Sequence, residues 1–272
     1  MEWFQALILG IVQGLTEYLP VSSSGHLEIF KDILGIELPA DENLQFDVVV
    51  HAATVLSTIV VLWPMFRDLC RSFFTFRRDE NTTYVWKLIV SCIPVGIVGV
   101  FFKSYVEEIF GSGLLIVGIC LCVTAALLLF AHLSDVRAGK LKRANAGRDI
   151  TWWDAIVIGC AQAVAVLPGL SRSGTTIATG IMLGDKRDKV ACFSFLMVII
   201  PILGEMLLDI KDIVAPDYAA QTDALSMAVG FVAAFAVGCA ACSWMLNIVK
   251  KGKLWWFAVY CVLMGVICIL WN

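Results

Sequence analysis

Charged side chains are scarce in this chain of 272 residues. They make up 16% of it, against about 25% in ordinary soluble domains, whereas hydrophobic residues reach 60%. The chain has a net charge of −3, so it lacks the excess of basic residues that is typical of nucleic-acid-binding proteins. Only three histidines are present, and none of the ten cysteines has a histidine at zinc-ligand spacing. These shortages argue against a soluble domain, a nucleic-acid partner and a structural zinc site.

A cleavable secretion signal is also missing, since no basic region and no small-residue cleavage site accompany the first apolar stretch. The chain instead contains long apolar runs at 48–66, 88–102, 114–130, 192–208, 225–246 and 254–271. A bilayer core of about 30 Å requires about 20 apolar residues in a helix. We therefore predict an all-α polytopic membrane protein with six transmembrane helices, in a single membrane domain of residues 1–272.

The charges in the loops predict the orientation of these spans. Basic residues are concentrated at 67–87, 137–148 and 250–253, whereas the loops around Glu107 and Glu108 and at 209–223 are acidic or poor in positive charge. By the positive-inside rule, the three basic loops face the cytoplasm and both termini lie outside. The span at 192–208 then begins inside, so the segment at about 150–184 enters and leaves on the cytoplasmic side. The same argument keeps residues from about 1 to 35 on the outer side.

Each of these two segments has an apolar half, a break rich in Pro, Ser and Gly, and a second apolar half, which is the pattern of a re-entrant hairpin. Their sequences also match: 8–13 resembles 157–162, and 22–25 resembles 171–174. The offset is constant, because 162 − 13 and 171 − 22 both equal 149. We predict an inverted-topology repeat of residues 1–134 and 150–272, with the functional site near the bilayer midplane.

The first break carries an acid, three hydroxyls and an imidazole. Gln13 and Glu17 lie four residues apart, on one face of a helix. Pro20 is followed by three serines at 22–24 and by His26. A carboxylate inside a membrane is costly and indicates a functional site unless it extends to the interface. Histidine can exchange a proton with a nucleophile or a leaving group, although a lone histidine is more often structural.

The second break contains an arginine among hydroxyls. Arg172 stays charged, and its forked guanidinium suits phosphate oxygens. In the simpler interpretation Glu17 is its structural partner. The neighbouring donors favour a phosphate group instead, namely Ser171, Ser173, Thr175 and Thr176. Phosphoryl transfer needs positioning and charge neutralisation, which these groups supply, and the membrane location indicates a lipid substrate.

The strings at 13–26 and 168–176 resemble the two signatures of the undecaprenyl-diphosphate phosphatase, or bacitracin-resistance, family. The resemblance extends along the chain and includes Phe193-Ser194-Phe195 before Pro201. It implies hydrolysis of undecaprenyl diphosphate to the monophosphate and inorganic phosphate, which recycles the carrier lipid of peptidoglycan synthesis and confers bacitracin resistance. It further implies a bacterial plasma membrane, a pocket open to the outer, periplasmic side, and a divalent cation, Mg²⁺ or Ca²⁺. The expected partners are a polyprenyl diphosphate and membrane lipid, and a homodimer is left open.

The resemblance also implies roles for individual residues. Glu17 matches the essential acid, Arg172 the phosphate-binding arginine, and Ser23 a nucleophile with His26 as its base. His26 itself, or a water activated by His26 or Glu17, is the alternative attacking group. Further substrate- or phosphate-binding residues are expected at Gln13, Ser22, Ser24, Gln162, Ser171, Ser173, Gly174 and Thr176. Because position 13 is a glutamine, the cation is expected on Glu17 and substrate oxygens rather than on two carboxylates of one helix.

A lipid-phosphate flippase or secondary transporter built on the same inverted repeat is the alternative function. Phosphate release in detergent would discriminate between the two, because detergent removes the compartments that transport requires.

Overall fold

The computed structural model describes residues 1–36, 38–102, 105, 113–139, 146–213 and 223–271. Apart from one isolated bridge between Arg148 and Asp185, the regular structure of these residues is helical, which confirms the all-α prediction. The predicted loop residues Glu107, Glu108, 140–143 and 214–222 lie outside the described part of the chain. The described part contains α1 Trp3–Thr16, α2 Ser23–Ile33, α3 Ala40–Val61, α4 Trp63–Phe74, α5 Glu80–Phe101, α6 Leu114–Arg137, α7 Trp152–Val164, α8 Arg172–Leu183, α9 Arg187–Met197, α10 Ile199–Ile213, α11 Ala224–Lys250 and α12 Trp255–Trp271.

Among the described residues, five helical stretches are long and apolar enough to cross a bilayer. They are Glu42–Val61, Glu80–Phe101, Leu114–Arg137, Arg187–Leu207 and Ala224–Lys250. The fourth of them joins α9 to α10 almost without interruption, because only Val198 separates the two helices. The chain is therefore a helical, multi-pass membrane protein. Helix α12 is apolar but has 17 residues, so the sixth span remains a prediction.

Two pairs of shorter helices occupy the segments predicted as hairpins. Helix α1 has 14 residues and α7 has 13, so each is about 20 Å long and falls short of the roughly 30 Å of a bilayer core. The chain then breaks before α2 and α8, at 17–22 and 165–171. Pro20 and Pro168 lie in these breaks, where their missing N–H groups remove no helical hydrogen bond.

The two pairs begin at equivalent positions. Helix α7 starts at Trp152 and α1 at Trp3, and α8 starts at Arg172 and α2 at Ser23, so both differences equal 149. Their packing partners are equivalent as well, since α1 packs on α11 and α7 on α5. A Cβ atom on Gly10 would overlap the backbone of α11 at Gly230, and one on Gly159, 149 residues later, would overlap α5 at Ser91. Glycine is therefore required where each short helix meets its long neighbour.

One predicted boundary differs from the structure. The apolar run at 48–66 is not a single helix, because α3 ends at Val61 and α4 begins at Trp63. Pro64 lies in the first turn of α4, where the missing N–H of proline costs no hydrogen bond. Proline thus ends one helix and starts another inside a stretch that composition alone reads as continuous.

Candidate active site at the two helix breaks

The two breaks contact each other directly. An ideal Cβ on Gly174 would lie 3.0 Å from Pro20 Cβ, and one on Gly25 would lie 3.2 Å from Gly169 Cα. These contacts are reciprocal at the sequence offset, since 25 + 149 equals 174 and 20 + 149 equals 169. Gly169 also has a φ of +84° and lies against the backbone of Val117, so this turn requires glycine for both conformation and space.

The carboxylate of Glu17 is the centre of the polar contacts at this junction. The Ser23 hydroxyl donates a hydrogen bond to Oε2 at 2.7 Å, and Gln13 Nε2 donates to the same oxygen at 3.0 Å. Arg172 Nη2 lies 3.6 Å from the other oxygen, Oε1. The carboxylate is 7% exposed and the guanidinium 23%. An acid and a hydroxyl from the first break therefore meet an arginine from the second.

The N-termini of α2 and α8 frame this centre. The Ser22 hydroxyl accepts a hydrogen bond from the Gly25 N–H at 3.3 Å, and the Ser171 hydroxyl accepts from the Gly174 N–H at 3.0 Å. These two serines cap their helices, so they hold the first turns in place. The half-buried Ser24 has its hydroxyl 3.4 Å from that of Ser22.

A pocket extends from Glu17 and Arg172 towards α7, α9 and α10. Five of the predicted site residues line it, namely Glu17, Gln162, Arg172, Ser173 and Thr176. Its apolar lining includes Val55, Phe195, Val198 and Ile202. Gln162 is buried, and neither polar atom of its side chain has a hydrogen-bond partner among the described residues. The pocket therefore combines polar groups of both breaks with apolar walls.

The imidazole of His26 is hydrogen-bonded to Tyr260 on α12 and not to the Ser23 hydroxyl. Its Nδ1 lies 2.8 Å from the carbonyl oxygen of Ser22, and its Nε2 lies 2.6 Å from the hydroxyl of Tyr260 on α12. The Ser23 hydroxyl bonds Glu17 and not this imidazole. The geometry thus does not form the Ser23–His26 pair that the family resemblance implied.

Comparison with known proteins identifies the family. The family model described as bacitracin resistance protein BacA matches residues 6–267. Proteins named undecaprenyl-diphosphatase from Parabacteroides distasonis and Bacteroides fragilis are each 57% identical over 270 residues, which cover 99% of this chain and 98% of theirs. One of that name from Methanobrevibacter smithii is 38% identical over 98% of this chain and 96% of its own. The chain belongs to the BacA family.

Membership confirms the resemblance seen in the two motifs, but several contacts of this BacA-family chain were missed in the sequence. His51 Nε2 lies 4.0 Å from Glu17 Oε2, and Ser194 shares a hydrogen bond with Thr176 on the pocket wall. Tyr18 bonds the Thr54 carbonyl oxygen at 2.6 Å. A histidine within an apolar run is a signal that could have indicated His51. Ser194 and Tyr18 both lie in segments that carry the family resemblance, but hydroxyls are common in membrane helices and neither residue was assigned a role.

Proposed function

We propose that this BacA-family chain hydrolyses undecaprenyl diphosphate to undecaprenyl monophosphate and inorganic phosphate, and so recycles the carrier lipid of peptidoglycan synthesis and confers bacitracin resistance. The relatives that are 57% identical along almost the whole chain bear the name of this enzyme. The observation that carries the proposal is the contact of 3.6 Å between Arg172 and Glu17, because it joins the chemistry of both breaks at one point. A transporter would not require a hydroxyl held on a carboxylate beside a phosphate-binding arginine.

In the proposed reaction Arg172 holds the distal phosphate, and Glu17 acts as the base. The Ser23 hydroxyl already donates to Glu17 at 2.7 Å, so its proton has an acceptor when the oxygen attacks phosphorus. The bond between phosphorus and the bridging oxygen breaks, and the prenyl monophosphate leaves. Water then hydrolyses the phosphoserine. A water molecule activated by Glu17 is the alternative nucleophile, and it would give the same products in one step.

The pocket contains a second buried amide that could bind a phosphate group. Gln162 offers a buried amide without a partner among the described residues, whereas its equivalent Gln13 is bonded to Glu17. Their difference follows from the repeat, because the position equivalent to Glu17 is Val166 (17 + 149). The Gln162 amide is thus available to a phosphate oxygen.

The divalent cation that the family resemblance implies fits this donor set when it arrives with the substrate. The described residues contain no cluster of three or more His, Cys, Asp or Glu side chains that could hold a metal alone. Glu17 supplies a carboxylate. Gln13, one helical turn earlier, has a buried Oε1 without a hydrogen-bond partner among the described residues. Mg²⁺ typically uses one or two carboxylates together with substrate phosphates and water. Bound there, Mg²⁺ or Ca²⁺ would neutralise charge on the diphosphate.

We further propose six spans and two re-entrant hairpins, related by an inverted repeat of residues 1–134 and 150–272. The equivalent helix starts and the reciprocal contacts of Gly25 and Gly174 support a pseudo-two-fold relation. The loop charges support a cytoplasmic location of the basic loops, with both termini and the pocket entrance on the outer side of the plasma membrane. A homodimer stays a prediction of the sequence alone.

The test is phosphate release by the purified protein in detergent, with a polyprenyl diphosphate and Mg²⁺ or Ca²⁺. Wild-type protein should release phosphate, whereas Arg172→Ala and Glu17→Ala should not, although both remain folded. Arg67→Ala is a matched control, because this arginine is 60% exposed and pairs with its neighbour Asp68. A folded wild-type protein without activity would reject the proposal and leave the flippase or transporter alternative. Near-normal activity of either site variant would reject the assignment of that residue.

A further inference from the structure

Tyr260, which is 39% exposed, forms a partly buried hydrogen bond with His26 that joins α12 to the first break. The distance between Tyr260 Oη and His26 Nε2 is 2.6 Å, and the side chain of the histidine is buried. The two rings are nearly parallel, with an interplanar angle of 16° and centroids 5.6 Å apart. The residues are 234 positions apart, so this contact depends on the tertiary fold.

The partners of His26 determine which nitrogen carries the hydrogen. Nδ1 lies 2.8 Å from the Ser22 carbonyl oxygen, and a carbonyl oxygen only accepts hydrogen bonds, so Nδ1 must donate. In neutral imidazole Nε2 is then the acceptor, and the Tyr260 hydroxyl donates to it. Both nitrogens are therefore occupied, and neither is available to the Ser23 hydroxyl, which donates to Glu17.

The Ser22 carbonyl held by His26 belongs to a strained residue. Ser22 has a φ of +70°, in the left-handed region that a residue with a side chain rarely adopts. Its carbonyl oxygen accepts from the His26 backbone N–H at 3.2 Å as well as from the ring. Such a conformation persists only where the surroundings hold it. Ser23, the first residue of α2, follows directly, so the turn at Ser22 sets the direction of the Ser23 side chain.

We propose that Tyr260 is a positioning residue for the hydrolysis. By donating to Nε2, its hydroxyl fixes the tautomer and the orientation of His26, and His26 in turn holds the Ser22 turn that directs the Ser23 hydroxyl onto Glu17. The proposal rests on the proposed function and assigns His26 a supporting role in place of the general base. It predicts an effect on the turnover number with little effect on substrate affinity, because neither ring lines the pocket beside Glu17 and Arg172.

The kinetic test compares two tyrosine variants. Tyr260→Phe keeps the ring and removes the hydroxyl, so kcat should fall by about 3- to 10-fold with KM unchanged, the size expected for one neutral hydrogen bond. Tyr84→Phe is the matched control, because the buried Tyr84 hydroxyl has no hydrogen-bond partner among the described residues, and it should retain the wild-type kcat. Combined with His26→Gln, Tyr260→Phe should cause little additional loss, since both act through one contact. Equal kcat values for the two tyrosine variants would overturn the proposal.

Nitrogen NMR of the imidazoles supplies a readout that does not depend on turnover. The chain has three histidines, and His26→Gln identifies the His26 signals by their disappearance. The wild-type spectrum should show neutral His26 protonated on Nδ1, and Tyr260→Phe should move the Nε2 resonance towards that of a free acceptor. An unchanged Nε2 resonance would overturn the proposal. A wild-type protein that releases no phosphate but shows this shift would reject the proposed function and retain the hydrogen bond, so the two failures are distinguishable.

Discussion

The Ser23 hydroxyl is the most direct test of the chemistry at the scale of single residues. If it attacks phosphorus, Ser23→Ala removes both the nucleophile and the hydrogen bond of 2.7 Å to Glu17. We expect kcat to fall by at least about 100-fold, the usual size of a lost nucleophile or proton-transfer partner. The measurement is steady-state phosphate release in detergent, together with a thermal unfolding curve that shows the variant is folded.

The adjacent Ser24 provides the control for that prediction. Its hydroxyl lies 3.4 Å from that of Ser22, a weak contact, and it does not touch Glu17. Because Ser24 is also an expected substrate-binding residue, Ser24→Ala should raise KM but change kcat by no more than about twofold. If Ser23→Ala behaves like Ser24→Ala, the attacking group is water, and Glu17 rather than Ser23 carries the chemistry.

At this scale the sequence predicted which side chains come together better than it predicted how each of them is oriented. The meeting of Glu17 with Arg172 was predictable, because an acid and an arginine inside a membrane each need a partner. The orientation of His26 was not, because a spacing of three residues along α2 permits a contact with Ser23 but does not reveal the competing hydrogen bonds to Glu17 and Tyr260. Tyr260 could not be found at all, since nothing local links it to the first break.

At the scale of elements, the short helices depend on close contact with long ones. The Cα of Gly159 on α7 lies against the backbone of α5, where an added Cβ would overlap Ser91. Gly159→Ala should therefore lower the free energy of unfolding by about 1–3 kcal/mol, as overpacking does elsewhere. The measurement is thermal unfolding in one detergent.

The opposite effect is expected on the facing helix. A Cβ on Gly99 of α5 would meet nothing within 4 Å, so Gly99→Ala should be neutral or stabilise by up to about 1 kcal/mol through helix propensity. Were both alanine variants to shift the unfolding temperature in the same direction by similar amounts, helix propensity and not the contact between α7 and α5 would control stability here.

Local signals explain why the breaks were predicted and one helix end was not. Pro20 and Pro168 stand beside serines and glycines, so both breaks are visible in the sequence. Pro64, by contrast, lies between apolar neighbours without turn residues, and the end of α3 at Val61 is hidden within a hydrophobic run. Composition indicates where apolar stretches lie, but it does not show where a helix ends within one. The missing N–H of proline favours the first turn of a new helix, and this determines where α4 starts.

At the scale of the whole molecule, the proposed repeats share a framework and differ in chemistry. The positions equivalent to Glu17, Ser23 and His26 are Val166, Arg172 and Thr175, each 149 residues later. One half thus supplies an acid, a hydroxyl and an imidazole, and the other supplies the guanidinium. A pseudo-two-fold axis would generate two equal sites if the halves were identical. Their divergence leaves a single carboxylate paired with a single arginine, which is what an asymmetric diphosphate requires.

The inverted repeat makes a prediction about sidedness that the charges of the loops alone cannot provide. In the proposed repeat both hairpins begin at equivalent helix starts, α1 at Trp3 and α7 at Trp152, and they would enter from opposite sides of the membrane. A membrane-impermeant thiol reagent should therefore label Glu2→Cys in intact cells and Asp149→Cys, whose native side chain is 71% exposed, only after permeabilisation. Labelling of the unsubstituted chain gives the baseline, because its ten cysteines are unpaired. Labelling of both variants from the same side would mean that the hairpins enter together, and the matching sequences would then reflect a parallel duplication instead of an inverted one.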